Sequence, residues 1–261
     1  MIADPVAFEL RLAEDAQDLR AAQRLRYDVF VRELGGDGDL VDHAEGLERD
    51  AFDPYFDHLI LVDPRIDPAT ERHVIGVYRL MTADGAARMG RFYSEGEYDL
   101  TALKGSGRRL LELGRSCVHA DFRGTTAMFH LWNGLADYVL ERGIEIMFGV
   151  ASFHGVDIPA QKMPLAYLHH FHLAPEPLRV RVQPPYFQTM DLVAKAGVDR
   201  LAAMAATPAL IKAYLRLGGF VGEGAFVDHR FNTTDVCLMM DTARMSAKHR
   251  GYYVRKQETK R

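Results

Sequence analysis

In the run Leu111-Glu112-Leu113-Gly114-Arg115, two charged side chains sit among residues that otherwise belong in a core. Residues three apart on a regular strand face opposite ways, yet the apolar parity changes across Gly114. Leu111 and Leu113 fall on odd numbers, Val118 and Ala120 on even ones. One inserted residue, a β-bulge, accounts for the change and returns Glu112 and Arg115 to one face. A carboxylate and a guanidinium so placed can serve as a general base and the group that holds it, or as an ion pair at a sheet edge. A bulge also leaves backbone N–H groups unpaired, ready for a developing oxyanion.

Further groups invite chemical readings. Arg123-Gly124-Thr125 follows this strand and opens a helix, where unpaired backbone N–H groups suit a phosphate or pantetheine, or where Thr125 simply caps the helix. Cys117 is two residues from His119 on the same strand face, but a lone cysteine in an apolar run reads as packing rather than as a nucleophile. His169, His170 and His172, with His154 upstream, lack the i,i+4 pair with intervening glutamate of a helical zinc site, and no cysteine is near. No metal is expected there. The segment 37–57 holds eight acidic residues against the single base Arg49 and shows no stable period, as in a long functional loop.

The elements that must position these groups are legible in outline. Apolar residues alternate over Phe8–Leu12, predicting a strand, and recur every three or four residues over Asp15–Leu34, predicting a helix that stops at Gly35-Gly36. His58–Asp63 and His73–Met81 read as an antiparallel pair, Leu110–Ala120 and Ile144–Ala151 as further strands. Thr125–Arg142, Pro159–His172 and Pro208–Leu217 read as helices, Leu178–Val182 and Thr234–Met240 as short strands, and 85–107 as irregular. Without repeats or a low-complexity linker, residues 1–261 are expected to form one mixed α/β (α+β) domain.

Composition narrows the function. With 261 residues, 48% hydrophobic and 26% charged, the chain can bury a large core, and a net charge of −4 argues against a nucleic-acid partner. The longest apolar stretch, Leu201–Ile211, is about half of a membrane span. No secretory signal opens the chain, and two cysteines suit a reducing compartment, so a cytoplasmic location is expected. Residues 244–261 carry seven Lys or Arg against the single acid Glu258, a charge that would attract an acidic carrier protein or an anionic membrane. Lys104, Arg108, Arg109 and Arg123 would add to that field if they share a side. Ile211, Tyr214, Leu215 and Leu217 opposite Lys212 and Arg216 fit either packing on a sheet or contact with the inner membrane.

Read together, these motifs resemble known enzymes. Arg123 partly resembles the acyl-CoA loop of the GNAT acyltransferase superfamily, although Thr126 and Met128 stand at its glycine positions. Leu25-Arg26-Tyr27-Asp28-Val29-Phe30, then Glu48-Arg49-Asp50-Ala51-Phe52-Asp53, then Val77-Tyr78-Arg79-Leu80, then Glu112-Leu113-Gly114-Arg115 resemble the acyl-homoserine-lactone synthases, in which such motifs surround the active site. Gly36 stands where those synthases have the tryptophan that closes over S-adenosylmethionine. The chain is more similar, over roughly Phe8–Tyr253, to the ornithine-lipid biosynthesis N-acyltransferases. Phe92-Tyr93-Ser94-Glu95-Gly96-Glu97-Tyr98-Asp99-Leu100, Ala151-Ser152-Phe153-His154-Gly155 and Leu210–Gly218 carry that likeness.

The resemblance implies a GNAT-like fold, a mixed, mostly antiparallel sheet splayed at a bulge and flanked by helices. It implies transfer of a 3-hydroxyacyl group from acyl carrier protein to the α-amine of ornithine, without a cofactor. Glutamine as acceptor, a homoserine-lactone synthase and a non-catalytic carrier-binding or membrane-binding module are the alternatives. In this reading Glu112 is the base or positions a water, and Arg115 holds it. Arg26 or Arg79 takes the α-carboxylate, Asp50 and Asp53 take a cation, and Phe30 and Phe92 complete the substrate pocket. Cys117, Val118, Arg123, Gly124 and Thr125 line the path of the pantetheine and its carrier.

Overall fold

The computed structural model describes residues 8–39 and 41–244, so most of the basic tail lies outside the described residues. In chain order the strands are β1 Glu9–Leu12, β2 Val41–Asp42, β3 Leu47–Glu48, β4 Asp57–Val62, β5 Val74–Thr82, β6 Tyr98–Asp99, β7 Leu110–Val118, β8 Ile146–His154, β9 Arg181–Val182, β10 Phe220–Val221, β11 Phe226–Asp228 and β12 Thr233–Asp241. The helices are α1 Ala16–Arg26, α2 Ala83–Met89, α3 Thr101–Lys104, α4 Ala127–Glu141, α5 Ile158–His172, α6 Arg200–Ala206 and α7 Ala209–Arg216. The chain divides into two compact units. One takes the residues up to Met81 together with Leu113–Arg142, the other Thr82–Glu112 together with everything from Gly143. Each is assembled from two separated stretches, which is why no linker marks a boundary in the sequence.

In the first unit, β4 lies between β1 and β5 with antiparallel register on both sides, and the second part of β7 follows β5. The Asp15 side chain caps α1 by accepting from the Asp18 N–H at 2.9 Å. Ala21, Ala22, Leu25 and Val29 bury one helix face against Ile60, Val62, Val74, Val77 and Cys117. The predicted helix does not remain α to Leu34. From Tyr27 to Glu33 it is a π-helix, in which the Leu34 N–H bonds the Val29 carbonyl at 3.1 Å, five residues back. Nor is the acidic segment without structure: β2 and β3 form a hairpin pairing Val41 with Glu48 and Asp42 with Leu47. Strands of two residues are too short to show an alternation.

In the second unit, β8 and β12 pair antiparallel over nine positions, from Thr233↔His154 to Asp241↔Ile146. β10 and β11 also pair with β12. Asp157 caps α5 and Pro159 occupies its first turn. The stretch predicted to be irregular holds α2, α3 and β6. The buried Tyr98 ties β6 to β12 by donating to the Asp235 carbonyl at 3.0 Å and accepting from the Cys237 N–H at 3.1 Å. The stripe on α7 takes the packing alternative: Ile211, Tyr214 and Leu215 are buried, and α7 packs on β12. Gly218, at φ +93°, closes this helix in the left-handed conformation, and the Gly219 N–H reaches back to the Tyr214 carbonyl at 3.0 Å. A Cβ on Gly219 would lie 2.8 Å from the Tyr214 oxygen and 3.3 Å from that of Met239. Both are backbone atoms and yield little, so Gly219→Ala is expected to lose about 1–3 kcal/mol in chemical denaturation.

Strand β7 pairs with β8 in parallel, from Leu110↔Ile146 to Glu112↔Phe148. The paired register therefore covers three positions of β8 on this side and nine on the β12 side. The predicted irregularity falls next to Gly114: Arg115 has φ +48° within the strand, a left-handed conformation that costs a non-glycine residue about 1–2 kcal/mol.

Candidate active site

In the first unit, three guanidiniums and three carboxylates share a buried cluster. Arg26 comes from the last turn of α1 and Arg79 from β5, both with 0% exposure. Arg26 bonds Glu48 through Nε and Asp53 through Nη1 at 2.7 Å. Arg79 Nη1 reaches both oxygens of Asp50 at 2.9 Å and Asp53 Oδ1 at 2.7 Å. Its guanidinium carbon stands 4.3 Å from the centre of the Phe56 ring. Gln23 donates to Asp53 Oδ2 at 2.9 Å. Arg115 closes the set by donating from Nε to Glu48 Oε1 at 3.0 Å, with the Phe30 ring centre 6.0 Å from its Cζ.

Three positive and three negative groups neutralise one another, which is how so many charges tolerate burial. Desolvation opposes ionisation of Glu48, but Arg26, Arg115 and Arg79 outweigh it and hold its carboxyl down at about 2. The same balance, with Arg26 foremost among the cations, holds Asp53 well below the usual carboxylate range. His58 lies beside Asp53, its Nε2 3.0 Å from that residue's carbonyl oxygen. Burial lowers its imidazole to about 4, so it is neutral near pH 7.

Arg26, Arg79, Asp50 and Asp53, expected to take the amino-acid substrate, lie in this one cluster and pair with one another. Within this cluster Arg115 is bonded to Glu48, a contact that sequence spacing did not suggest. Glu48 belongs to one of the quoted motifs and yet had no role there, because its partner Arg115 lies 67 residues away.

In the second unit, Glu112 is 1% exposed and sits where the β7–β8 register ends. Its Oε2 accepts the Tyr93 N–H at 2.8 Å, and its Oε1 accepts the Ser94 N–H at 2.6 Å and the Ser94 hydroxyl at 2.5 Å. Tyr93–Gly96 is a short 3₁₀ turn, so the carboxylate lies at the N–H end of a helical turn, where a negative charge is favoured. Glu95 secures the same turn by accepting the Phe92 N–H at 2.8 Å. Phe92 is buried edge-on against Phe148, ring centres 5.1 Å apart. Phe148 is the strand partner of Glu112, so an anion and an aromatic pair meet at the end of the paired segment. Tyr93 and Ser94 lie in a quoted motif, but backbone donors carry no signal in residue type.

Cys117 and Val118 are each 5% exposed; Cys117 packs in the core, and burial pushes its thiol up to about 12. Cys117 is therefore expected to resist iodoacetamide until the protein unfolds, and Cys117→Ala to retain its turnover; a thiol labelled in the native state would contradict this. Arg123 pairs with Glu33 and donates from Nε to the Val118 carbonyl at 3.0 Å. The Thr125 hydroxyl accepts the Ala127 N–H at 3.2 Å and donates to the Phe122 carbonyl at 2.6 Å. Gly124, at φ +76°, supplies the turn between them. Arg123-Gly124-Thr125 thus forms an exposed turn just ahead of α4, whose N-cap position is Thr126. Lys104, Arg108 and Arg109 do not form a free basic field, since they pair with Glu95, Asp241 and Glu145.

Comparison with known proteins follows this geometry. Residues 25–133 match the acetyltransferase (GNAT) domain family. Among solved structures, the chain is similar to FeeM, an N-acyl amino acid synthase from uncultured soil microbes, with a TM-score of 0.51 at 12% identity over 91% of each chain. It is similar to the AHL synthase LasI with a TM-score of 0.50 at 14% identity, also over 91% of each. The family match, with these likenesses in fold, bears out the GNAT-like fold, and the strand registers its mixed, mostly antiparallel pairing. An L-ornithine N(alpha)-acyltransferase from Rhodobacter capsulatus is 63% identical over 258 residues, 99% of either chain. At that identity over the whole length, the chain belongs to the L-ornithine N(alpha)-acyltransferase family.

Proposed function

We propose that the protein transfers a 3-hydroxyacyl chain from the pantetheine thiol of acyl carrier protein to the α-amine of L-ornithine, forming lyso-ornithine lipid. The observation that carries this reading is the 63% identity, over 99% of both chains, to a relative named for acylation of that amine.

The reaction needs a neutral amine, and a free amino acid's α-amine is mostly protonated near pH 7. In this reading Glu112, held rigid by the Tyr93 and Ser94 N–H groups, accepts the amine proton directly or through one water. The amine nitrogen bonds to the thioester carbon, the tetrahedral oxyanion collapses, the C–S bond breaks, and the carrier thiolate takes up a proton. In this reading backbone N–H groups of β8 beyond Phe148 face the oxyanion, and the pantetheine amides add along β8 like a strand. The thioester supplies the activation, and no cofactor takes part. Basic residues of segment 244–261 attract the acidic carrier, and an amphiphilic product suits release at a membrane surface. No helix among the described residues is long and apolar enough to cross one.

The test is an incubation of purified protein with 3-hydroxyacyl carrier protein and a panel of free amino acids, including glutamine, with thiol release and product mass as readouts. Ornithine is expected to give the N-acylated product. Release of thiol with another amino acid only, or of methylthioadenosine from S-adenosylmethionine, would overturn the assignment.

A further inference from the structure

His169 and His170 lie in the last turn of α5, and Asp191 follows in a segment about twenty residues on. One imidazole nitrogen from each histidine and one Asp191 carboxylate oxygen all lie within 4.8 Å of one another. His170 Nε2 is 3.3 Å from Asp191 Oδ1 and 2.8 Å from the Val193 carbonyl oxygen. The two imidazole rings stand 5.0 Å apart and nearly perpendicular, at 79°. His170 Nε2 thus faces two acceptors, one anionic and one dipolar, with a second imidazole beside it.

We propose that these three side chains form a binding site for one divalent transition-metal ion of the zinc type. An ion at that point would replace the Nε2 proton and engage several of these acceptors at once, whereas a proton serves chiefly one. Donors held tetrahedrally around zinc at about 2.0–2.1 Å lie about 3.3 Å apart, which is the spacing of His170 and Asp191. Two imidazoles and a carboxylate favour zinc, cobalt or nickel over magnesium or calcium, which prefer an all-oxygen shell. The C-terminal end of the fifteen-residue α5 directs its carbonyl dipoles toward a cation. Nearby Lys195 and Arg200 lie over the Phe171 ring, at 5.3 Å and 4.1 Å from its centre. The Asp191 side chain is 57% exposed, leaving an entry path and room for water as a further ligand, while that of His170 is only 15% exposed. The bound ion would fasten the 188–193 segment to the end of α5, a structural task separate from the chemistry at Glu112. Sequence spacing concealed the site because its third ligand belongs to another segment.

The full-length protein, stripped with a chelator, is titrated with zinc chloride and separately with magnesium chloride, and then with cobalt(II) as an optical probe. One zinc per chain is expected, with magnesium silent at the same concentration, and cobalt should show ligand-field absorption. Asp191→Asn, a change at an exposed position, and His170→Gln should each weaken zinc at least tenfold, since even outer-shell partners of a metal cost about 10–100-fold. Zinc should raise the melting temperature of the unmodified protein but not of the variants. Zinc affinity unchanged in Asp191→Asn and in His169→Gln/His170→Gln, or no zinc taken up by the folded protein, would overturn the proposal. Should the histidine variants fail to fold, Asp191→Asn alone decides.

Discussion

Arg26→Met is expected to destabilise the protein by about 3–5 kcal/mol, the range found when one partner of a buried ion pair is removed. The side chain is fully buried and bonded to Glu48 and Asp53. Methionine fills much of the space but leaves three carboxylates facing only Arg79 and Arg115. At this chain length the loss corresponds to a fall of about 10 °C in melting temperature. Adding Glu48→Gln removes the excess negative charge, so the double variant should be more stable than the sum of the two single changes implies. A double-mutant cycle in denaturant measures that coupling.

Acidity supplies an independent check. The Glu48 carboxyl is depressed to about 2 in the folded protein. Its contribution to stability is therefore complete above the ordinary carboxylate pKa and is lost as pH falls from there through about 2. In Arg26→Met a principal cause of that depression is gone. The penalty should shrink as pH falls from about 4.5 through about 2, where the unmodified protein loses the stability that the depressed Glu48 carboxyl contributes. A penalty that does not change with pH would show that the charge balance is not what Arg26 supplies.

Glu112→Gln is expected to reduce kcat by about 10²-fold or more, the usual scale of general-base assistance. It should also cost about 1–3 kcal/mol, because a carboxamide NH₂ would face the Tyr93 N–H or the Ser94 N–H and leave a buried donor without an acceptor. Ser94→Ala separates the two effects, since it removes only the hydroxyl contact to the same carboxylate. If Glu112 merely anchors the 93–96 turn, the two variants should lose activity in proportion to stability. If it handles the proton, Ser94→Ala keeps kcat within a few fold while Glu112→Gln does not.

Long periodic segments were legible without coordinates. The pair β4–β5 and the helices α4, α5 and α7 fall within a few residues of their predicted spans, because burial of one face stamps its period on six or more positions. The break in parity near Gly114 was readable for the same reason, although it could not say that Arg115 takes the left-handed backbone. Features made by pairing across long separations left no periodic trace. Arg115 meets Glu48, Asp191 meets His170, and Glu112 meets two backbone N–H groups, an interaction indifferent to side-chain identity. The family resemblance placed Arg26, Asp50, Asp53 and Arg79 around one site, and they lie paired in one cluster, but a motif does not tell whether charges face a ligand or each other.

Neither compact unit is continuous along the chain: the first resumes at Leu113 after breaking off at Met81, and the second resumes at Gly143 after breaking off at Glu112. During synthesis, therefore, no nascent fragment ending before Arg142 contains a whole unit, and the other waits for the last third of the polypeptide. Folding of this kind is governed by closure of distant loops and is correspondingly slow. Cutting the coding sequence at any point between Met81 and Gly143 would part the two stretches of at least one unit.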